Sequence, residues 1–269
     1  MAKRDVVLIH GLFMTALSWE AWVERYTARG YNVVARSWPR MEVDIEALRR
    51  DPSALAGMGV EEVVDHFDRI IRALDAPPFV IGHSFGGAFT EILLDRGLGA
   101  AGVAIDAAQL KGIYAVPPSQ LRALFPIVRN PANRGRAVAM THDQFHYAFT
   151  NTLTAAESQD AFRRYAVPGP GRLLFQAALA NLDSKSPLTV DFAKADRAPL
   201  LIIAGGSDHI VPASLNAATA RRYAKSSALT EYRLFPGRGH WTCAEPGWEE
   251  VADYAIDWCE RNAARAAAP

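Results

Sequence analysis

Apolar residues along this chain follow two alternating rhythms. Short runs at 5–9, 31–35, 79–82, 101–106, 199–204 and 229–235 predict strands, the first of them (DVVLI) apolar enough to be buried on both faces. Between them lie stretches with helical spacing. Residues 16–29 place Leu17, Trp22 and Tyr26 in register and stop at Gly30, and 60–74 line up Val63, Val64, Phe67, Ile70, Ile71 and Leu74 on one side. Further helices are predicted at 85–96, closed by Gly97, at 213–225 and at 247–261. The segment after residue 35, holding Trp38-Pro39 and Asp51-Pro52, is predicted as a Pro- and Gly-punctuated loop. Strand, helix and strand in succession imply right-handed βαβ units and a parallel sheet covered on both faces.

The alternation breaks near Gln109. From 110 to 192 no strand is expected, and helices at 119–128, 141–150, 155–165 and 172–182 follow one another instead, punctuated by Pro168-Gly169-Pro170-Gly171. The chain therefore divides into a core, 1–109 and 193–269, and a helical insertion, 110–192. The Ala-rich tail 263–269 is expected to fray.

The stretch FVIGHSFGGA, residues 79–88, puts Ser84 between Gly82 and Gly86 where a strand gives way to a helix. A sharp turn there forces the serine into an unfavourable backbone conformation and brings neighbouring backbones close, so side chains two residues to either side would collide. The hydroxyl would then stand at the carboxyl edge of the sheet, with a helix N-terminus aimed at it. Serine is a poor nucleophile near neutral pH without a base held by a third group. Two later strand ends supply candidates: Asp208 in GGSDHIVP and His240 in PGRGHW. His240 is expected to take the Ser84 proton, and Asp208 to fix the imidazole tautomer. Asp106, also at a strand end, is the competing carboxylate, while His83 and His209 are expected to pack rather than act as bases. The loop His10-Gly11-Leu12-Phe13 follows the first strand, so the N–H groups of Leu12 and Phe85 are expected to form an oxyanion hole.

Taken in order, HGLF, GHSFGG, GGSDHIVP and GRGHW make the chain resemble the α/β-hydrolase superfamily over nearly its whole length. The resemblance implies an open, mostly parallel sheet flanked by helices, with the 110–192 insertion as a helical cap over the site. Only four residues precede the first strand, so the N-terminal hairpin of larger members is expected to be absent and about six strands are expected. Dehalogenases and epoxide hydrolases of this fold carry Asp where this chain has Ser84; plant hydroxynitrile lyases carry Thr at Gly11 and Lys at Trp241. The resemblance favours hydrolysis of an uncharged ester, thioester or lactone. A lyase, cyclase or perhydrolase on the same triad, or a ligand-binding receptor, are the alternatives. A small or medium hydrophobic substrate follows from apolar walls expected at Phe13, Met14, Phe85 and Trp241, with Phe145, Tyr147, Phe149 and Phe175 from the cap.

Composition narrows the setting. The chain has 269 residues, 50% of them hydrophobic, which suits one core with an insertion. Its 29 basic and 29 acidic residues cancel, and without a basic run neither nucleic acid nor an anionic membrane is an expected partner. No apolar run reaches the roughly 20 residues of a membrane span, and no early stretch has the layout of a signal peptide. Cys243 and Cys259 are too few for a disulfide framework or a structural zinc site, so a reducing cytoplasm is expected. No cofactor is called for, and His10, lacking spaced partners, is not expected to bind metal.

Overall fold

In a computed structural model, described for residues 4–266, six strands form one parallel sheet in the order β2-β1-β3-β4-β7-β8. The strands are β1 (Val6–Ile9), β2 (Val33–Ala35), β3 (Phe79–His83), β4 (Ala101–Ile105), β7 (Leu200–Gly205) and β8 (Thr230–Phe235). All six lie where the apolar runs placed them, with ends shifted by one or two residues. The chain order reverses at β1, whose neighbours are β2 on one side and β3 on the other. A crevice opens at such a reversal, beyond the carboxyl ends of the strands.

Strand periodicity sorts the core into two layers. Val7, Ile9, Val80, Ala104, Leu200 and Ile202 face α3 (Val60–Arg72) and α4 (Phe85–Asp95). Val6, Leu8, Ile81, Val103, Leu201 and Ile203 face α1 (Glu20–Ala28) and α10 (Trp248–Ala266). β1, β3, β4 and β7 are buried along their whole length. β8 is an exposed edge, guarded against further pairing by Glu231 and Arg233. Cys243 and Cys259 are buried free thiols.

Three local expectations are corrected. The loop after β2 contains a helix, α2 (Ile45–Arg50), because Asp44 caps it by accepting the Glu46 N–H at 2.8 Å and Leu48 turns into the core. The segment between β4 and β7 holds α5 (Pro118–Val128), α6 (His142–Ala148), α7 (Ala155–Tyr165) and α8 (Gly171–Ala178), but also a two-residue antiparallel pair, β5 (Ala137–Val138) with β6 (Gly169–Pro170). Pro170 lacks an N–H, which a pair this short tolerates. Helix α10 continues to Ala266 rather than ending at 261, and residues 267–269 of the tail lie outside the described residues. α9 (Ala213–Tyr223) completes the helices. Among the described residues no helix is long and apolar enough to cross a membrane.

The α5–α8 segment is tied to loops at the carboxyl edge of the sheet. The Val167 N–H donates to the Phe13 carbonyl at 2.9 Å and the Trp241 N–H to the Phe149 carbonyl at 3.0 Å. Asn151 Nδ2 donates to the Ser207 carbonyl at 2.9 Å.

Helix α4 is buried on every side and carries Glu91, only 1% exposed. No hydrogen bond of good geometry reaches either carboxyl oxygen, although Tyr223 lies beside it and Arg197 acts on it through its charge. Burial raises this carboxyl to about 8. Between its ordinary value and that point the folded chain holds a proton that the unfolded chain releases, so stability falls as pH rises. Glu91→Gln, which cannot titrate, is expected to gain on the wild type by on the order of 3 kcal/mol between pH 5 and pH 8 in urea denaturation. An advantage that is the same at both pH values would contradict this.

Candidate active site

Ser84 joins β3 to α4 with φ 57° and ψ −120°, a region ordinary residues avoid. The turn is held from both sides. The Ser84 N–H continues the sheet by donating to the Ile105 carbonyl at 2.9 Å, and its own carbonyl accepts from Gly87, Ala88 and Ala108 at 3.0–3.2 Å. The flanking glycines are steric necessities. A Cβ on Gly82 would sit 2.0 Å from the Gly86 carbonyl oxygen, and one on Gly86 would sit 2.1 Å from that of Ile9. Gly11 makes a third close approach, since its Cβ would fall 2.8 Å from the Ser84 Cβ.

The Gly11 loop is braced by His10. The Trp38 N–H donates to His10 Nε2 at 3.1 Å, so the ring proton is on Nδ1 and is given to the Gly11 carbonyl at 2.8 Å. Burial lowers this imidazole to about 3, and its ring stacks on Trp38 with centroids 4.9 Å apart. With both nitrogens engaged, His10 serves the loop. Leu12 and Phe85 border the same cavity as Ser84, and among the described residues no acceptor takes either N–H. Phe85 opens the first turn of α4, where helical amides lack internal partners.

Beyond β7 and β8, His240 Nδ1 meets Asp208 Oδ2 at 2.6 Å, both side chains fully buried. Asp208 Oδ1 accepts the N–H groups of Ile210 at 2.7 Å and Val211 at 2.8 Å. Burial, with a smaller push from the Glu245 charge, raises this carboxyl to about 7, and the Val211 and Ile210 amides limit the rise by favouring the anion. Burial lowers His240 to about 3, so the imidazole is neutral, with its proton on Nδ1 towards Asp208. Its Nε2 is buried and has no hydrogen-bond partner among the described residues, Ser84 Oγ included. The ring is wedged between His83, 4.7 Å away, and Phe149, 4.9 Å away. His83, next to Ser84 in the chain, donates Nε2–H to the His240 carbonyl at 2.8 Å, and burial keeps it neutral.

Asp106 is the other buried carboxylate here. Its Oδ1 accepts the Gly205 N–H at 2.6 Å, tying the end of β4 to the end of β7. Burial and the nearby Asp208 charge raise it well above the carboxylate range. The imidazole bond goes to Asp208, not Asp106. His209 Nδ1 lies 2.9 Å from the Tyr147 carbonyl, a loop contact.

A cavity of about 210 Å³ opens from Ser84. Of the aromatic residues expected to wall it, Phe13, Phe85 and Phe149 do so. Met14, Trp241, Phe145, Tyr147 and Phe175 do not. Phe145 and Trp241 pack on one another behind Phe149, Met14 is buried in the core, and Tyr147 faces His209 and Arg122. Phe175 is half-buried on α8, whose cavity-facing residues are Leu174, Ala177 and Ala178. The opposite wall comes from α5, through Leu121, Leu124, Phe125 and Val128, which the sequence reading had not singled out. The available signal was the helix's apolar character on more than one face, with Leu121 and Phe125 about half exposed. Ile210 and Val211 hold Asp208 by their amides and also line the cavity.

The sequence model of the alpha/beta hydrolase family matches residues 6–254. No curated protein matches the chain by sequence. Among solved structures, a monoacylglycerol lipase from Paleococcus ferrophilus is 20% identical, with TM-score 0.66 over 96% of this chain and 94% of its own. A thermophilic esterase from Thermogutta terrifontis is 18% identical, with TM-score 0.67 over 97% and 90%. A pyrethroid hydrolase from Sphingobium faniae JZ-2 is 17% identical, with TM-score 0.66 over 96% and 97%. At these identities the likeness is one of fold.

The backbone crowding around Ser84 gives a direct test. Gly86→Ala is expected to cost at least about 2 kcal/mol in urea denaturation, because its Cβ meets the main chain of β1 rather than a movable side chain. Gly135→Ala, with nothing within 4 Å of its Cβ, should stay within about 0.5 kcal/mol of wild type. Equal costs would refute the steric account.

Proposed function

The chain belongs to the alpha/beta hydrolase family, and on that footing we propose that it is a serine hydrolase cleaving a carboxylic ester, thioester or lactone with a small or medium hydrophobic group. The observation that carries the proposal is the buried 2.6 Å His240–Asp208 pair, whose imidazole packs on His83, the residue before the strained Ser84 that opens onto an apolar cavity. The segment 110–192 acts as a cap, supplying the α5 and α8 walls above the sheet.

In this reading His240 Nε2 accepts the Ser84 proton as Oγ attacks the substrate carbonyl. Asp208 holds Nδ1–H and stabilises the imidazolium that forms. Negative charge then develops on the carbonyl oxygen, and the N–H groups of Leu12 and Phe85, already without partners, donate to it. The α4 N-terminus adds a favourable field. His240 returns the proton to the leaving alcohol or thiol. Water, activated by the same imidazole, attacks the acyl group on Ser84 Oγ, and the acid leaves with Oγ reprotonated. The wall of Phe13, Phe85, Phe149 and Leu124 favours an aliphatic or aryl acyl group and offers a substrate anion no counter-charge. The neutral His240 and the ionised Asp208 are the protonation states this cycle needs at the start.

Hydrolysis of p-nitrophenyl butyrate tests the proposal. Ser84→Ala is expected to lower kcat by on the order of 10⁶-fold, and Asp208→Asn by on the order of 10⁴-fold through loss of the correct tautomer. Asp106→Asn should cost far less than Asp208→Asn, because it leaves the imidazole bond in place. Wild type and Ser84→Ala turning over the ester at the same rate would remove the proposed nucleophile, and an Asp106→Asn loss as large as that of Asp208→Asn would reassign the acid.

A further inference from the structure

Three side-chain amides, Gln109, Gln120 and Asn181, stand on the wall of the Ser84 cavity, whose other lining is apolar apart from Ser84 itself and the exposed Tyr114. Two of them have both the nitrogen and the oxygen of the amide bonded within the protein. Asn181 Oδ1 accepts the Gly112 N–H at 2.7 Å while its Nδ2 donates to the Ile113 carbonyl at 2.7 Å, clamping the loop after β4. Gln109 Nε2 donates to the Ala115 carbonyl at 2.7 Å. A carbonyl only accepts, so that bond fixes which end of the Gln109 amide is nitrogen. Its Oε1 in turn accepts from Gln120 Nε2 at 2.7 Å.

The orientation passes down this relay. Turning the Gln120 amide over would set its oxygen against Gln109 Oε1, two acceptors with no proton between them. Gln120 therefore donates to Gln109, and its own Oε1 has no partner among the described residues. The residue is only 7% exposed and sits on α5 among Leu121, Leu124 and Ile113. Its Oε1 is not sealed in the packing but keeps its access to the cavity, so an apolar occupant that displaces water from it without offering a donor forfeits a hydrogen bond, and an occupant with a donor there keeps one.

We propose that Gln120 is a specificity-determining residue, its Oε1 accepting a hydrogen bond from a hydroxyl on the acyl chain of an otherwise aliphatic substrate. Gln109 follows Ala108, whose N–H is bonded to the Ser84 carbonyl, so the relay starts beside the nucleophile and leads away along the wall. The hydroxyl accordingly sits a few carbons from the scissile carbonyl. The location of that carbonyl at Ser84 rests on the serine-hydrolase reading; the hydroxyl preference of the cavity does not.

Binding to Ser84→Ala protein, followed by titration calorimetry, separates the two. Methyl hexanoate, methyl 3-hydroxyhexanoate and methyl 6-hydroxyhexanoate are the probes. At least one hydroxy ester is expected to bind about tenfold more tightly than methyl hexanoate, the worth of one hydrogen bond to a group otherwise left unpaired. Adding Gln120→Leu should bring that ratio close to one, and Gln120→Met serves if the leucine variant does not fold. The proposal is overturned if methyl hexanoate binds as tightly as both hydroxy esters, if the preference survives loss of the amide, or if none of the three binds. Failure of the wild type to hydrolyse any of them, with the binding preference intact, would instead overturn the hydrolase reading alone.

Discussion

Everything at this site depends on backbones passing closer together around Ser84 than any side chain would permit. The β3–α4 turn, the end of β1 and the Gly11 loop meet within contact distance because three positions lack a Cβ. The ladder bond from Ser84 to Ile105 and the three amides on the Ser84 carbonyl over-determine a conformation that would otherwise relax, at a cost of order 1–3 kcal/mol. A sheet buried on both faces supplies that constraint. Without its rigid parallel ladder, the hydroxyl would have no fixed relation to the amides of Leu12 and Phe85.

The same constraint explains which features were legible in the sequence. Strands buried on both faces must be continuously apolar, and turns this tight must be glycine, so the four central strands and the residues at their carboxyl ends declared themselves. So did the Asp208–His240 pair, since Asp208 in GGSDHIVP follows one of these strands and His240 in GRGHW follows the edge strand β8. Features set by tertiary contact did not. Helix α2 depends on the Asp44 cap and one buried leucine, and the β5–β6 pair on only two residues per strand. The cavity walls were the least legible. An aromatic residue on a cap helix faces inward whether it lines a cavity or packs behind one, and Phe145 and Phe149 stack together yet play these different parts. The choice between them is made by neighbours distant in sequence, such as Trp241 behind Phe145 and the Gly11 loop before Phe149.

Two carboxyl groups buried near one imidazole acquire different characters from their donors and from each other's charge. Asp208 accepts two backbone amides on one oxygen and the imidazole on the other, so its negative charge is matched on both sides. Asp106 accepts one amide on Oδ1 and has no hydrogen bond to Oδ2, and it feels the charge of its neighbour. Two like charges this deep cannot both persist, so Asp208 keeps the anion and Asp106 the proton. Asp106 in this state is a strut between β4 and β7, setting the height from which the Asp208 loop departs.

A related accounting distinguishes the cavity's amides from one another. Hydrogen-bond donors and acceptors buried in a protein are nearly always matched, because an unmatched one has lost water and gained nothing. Asn181 and Gln109 satisfy that rule by holding the main chain of the loop after β4, and so serve the shape of the wall. Gln120 satisfies it differently. Its Nε2 is bonded to Gln109, while its Oε1 takes no donor from the protein among the described residues and keeps its access to the cavity. If α5 served only to close the cavity, leucine at this position would do so without presenting an acceptor to whatever fills it. The amide is therefore better understood as facing the cavity's occupant than as part of the packing that encloses it.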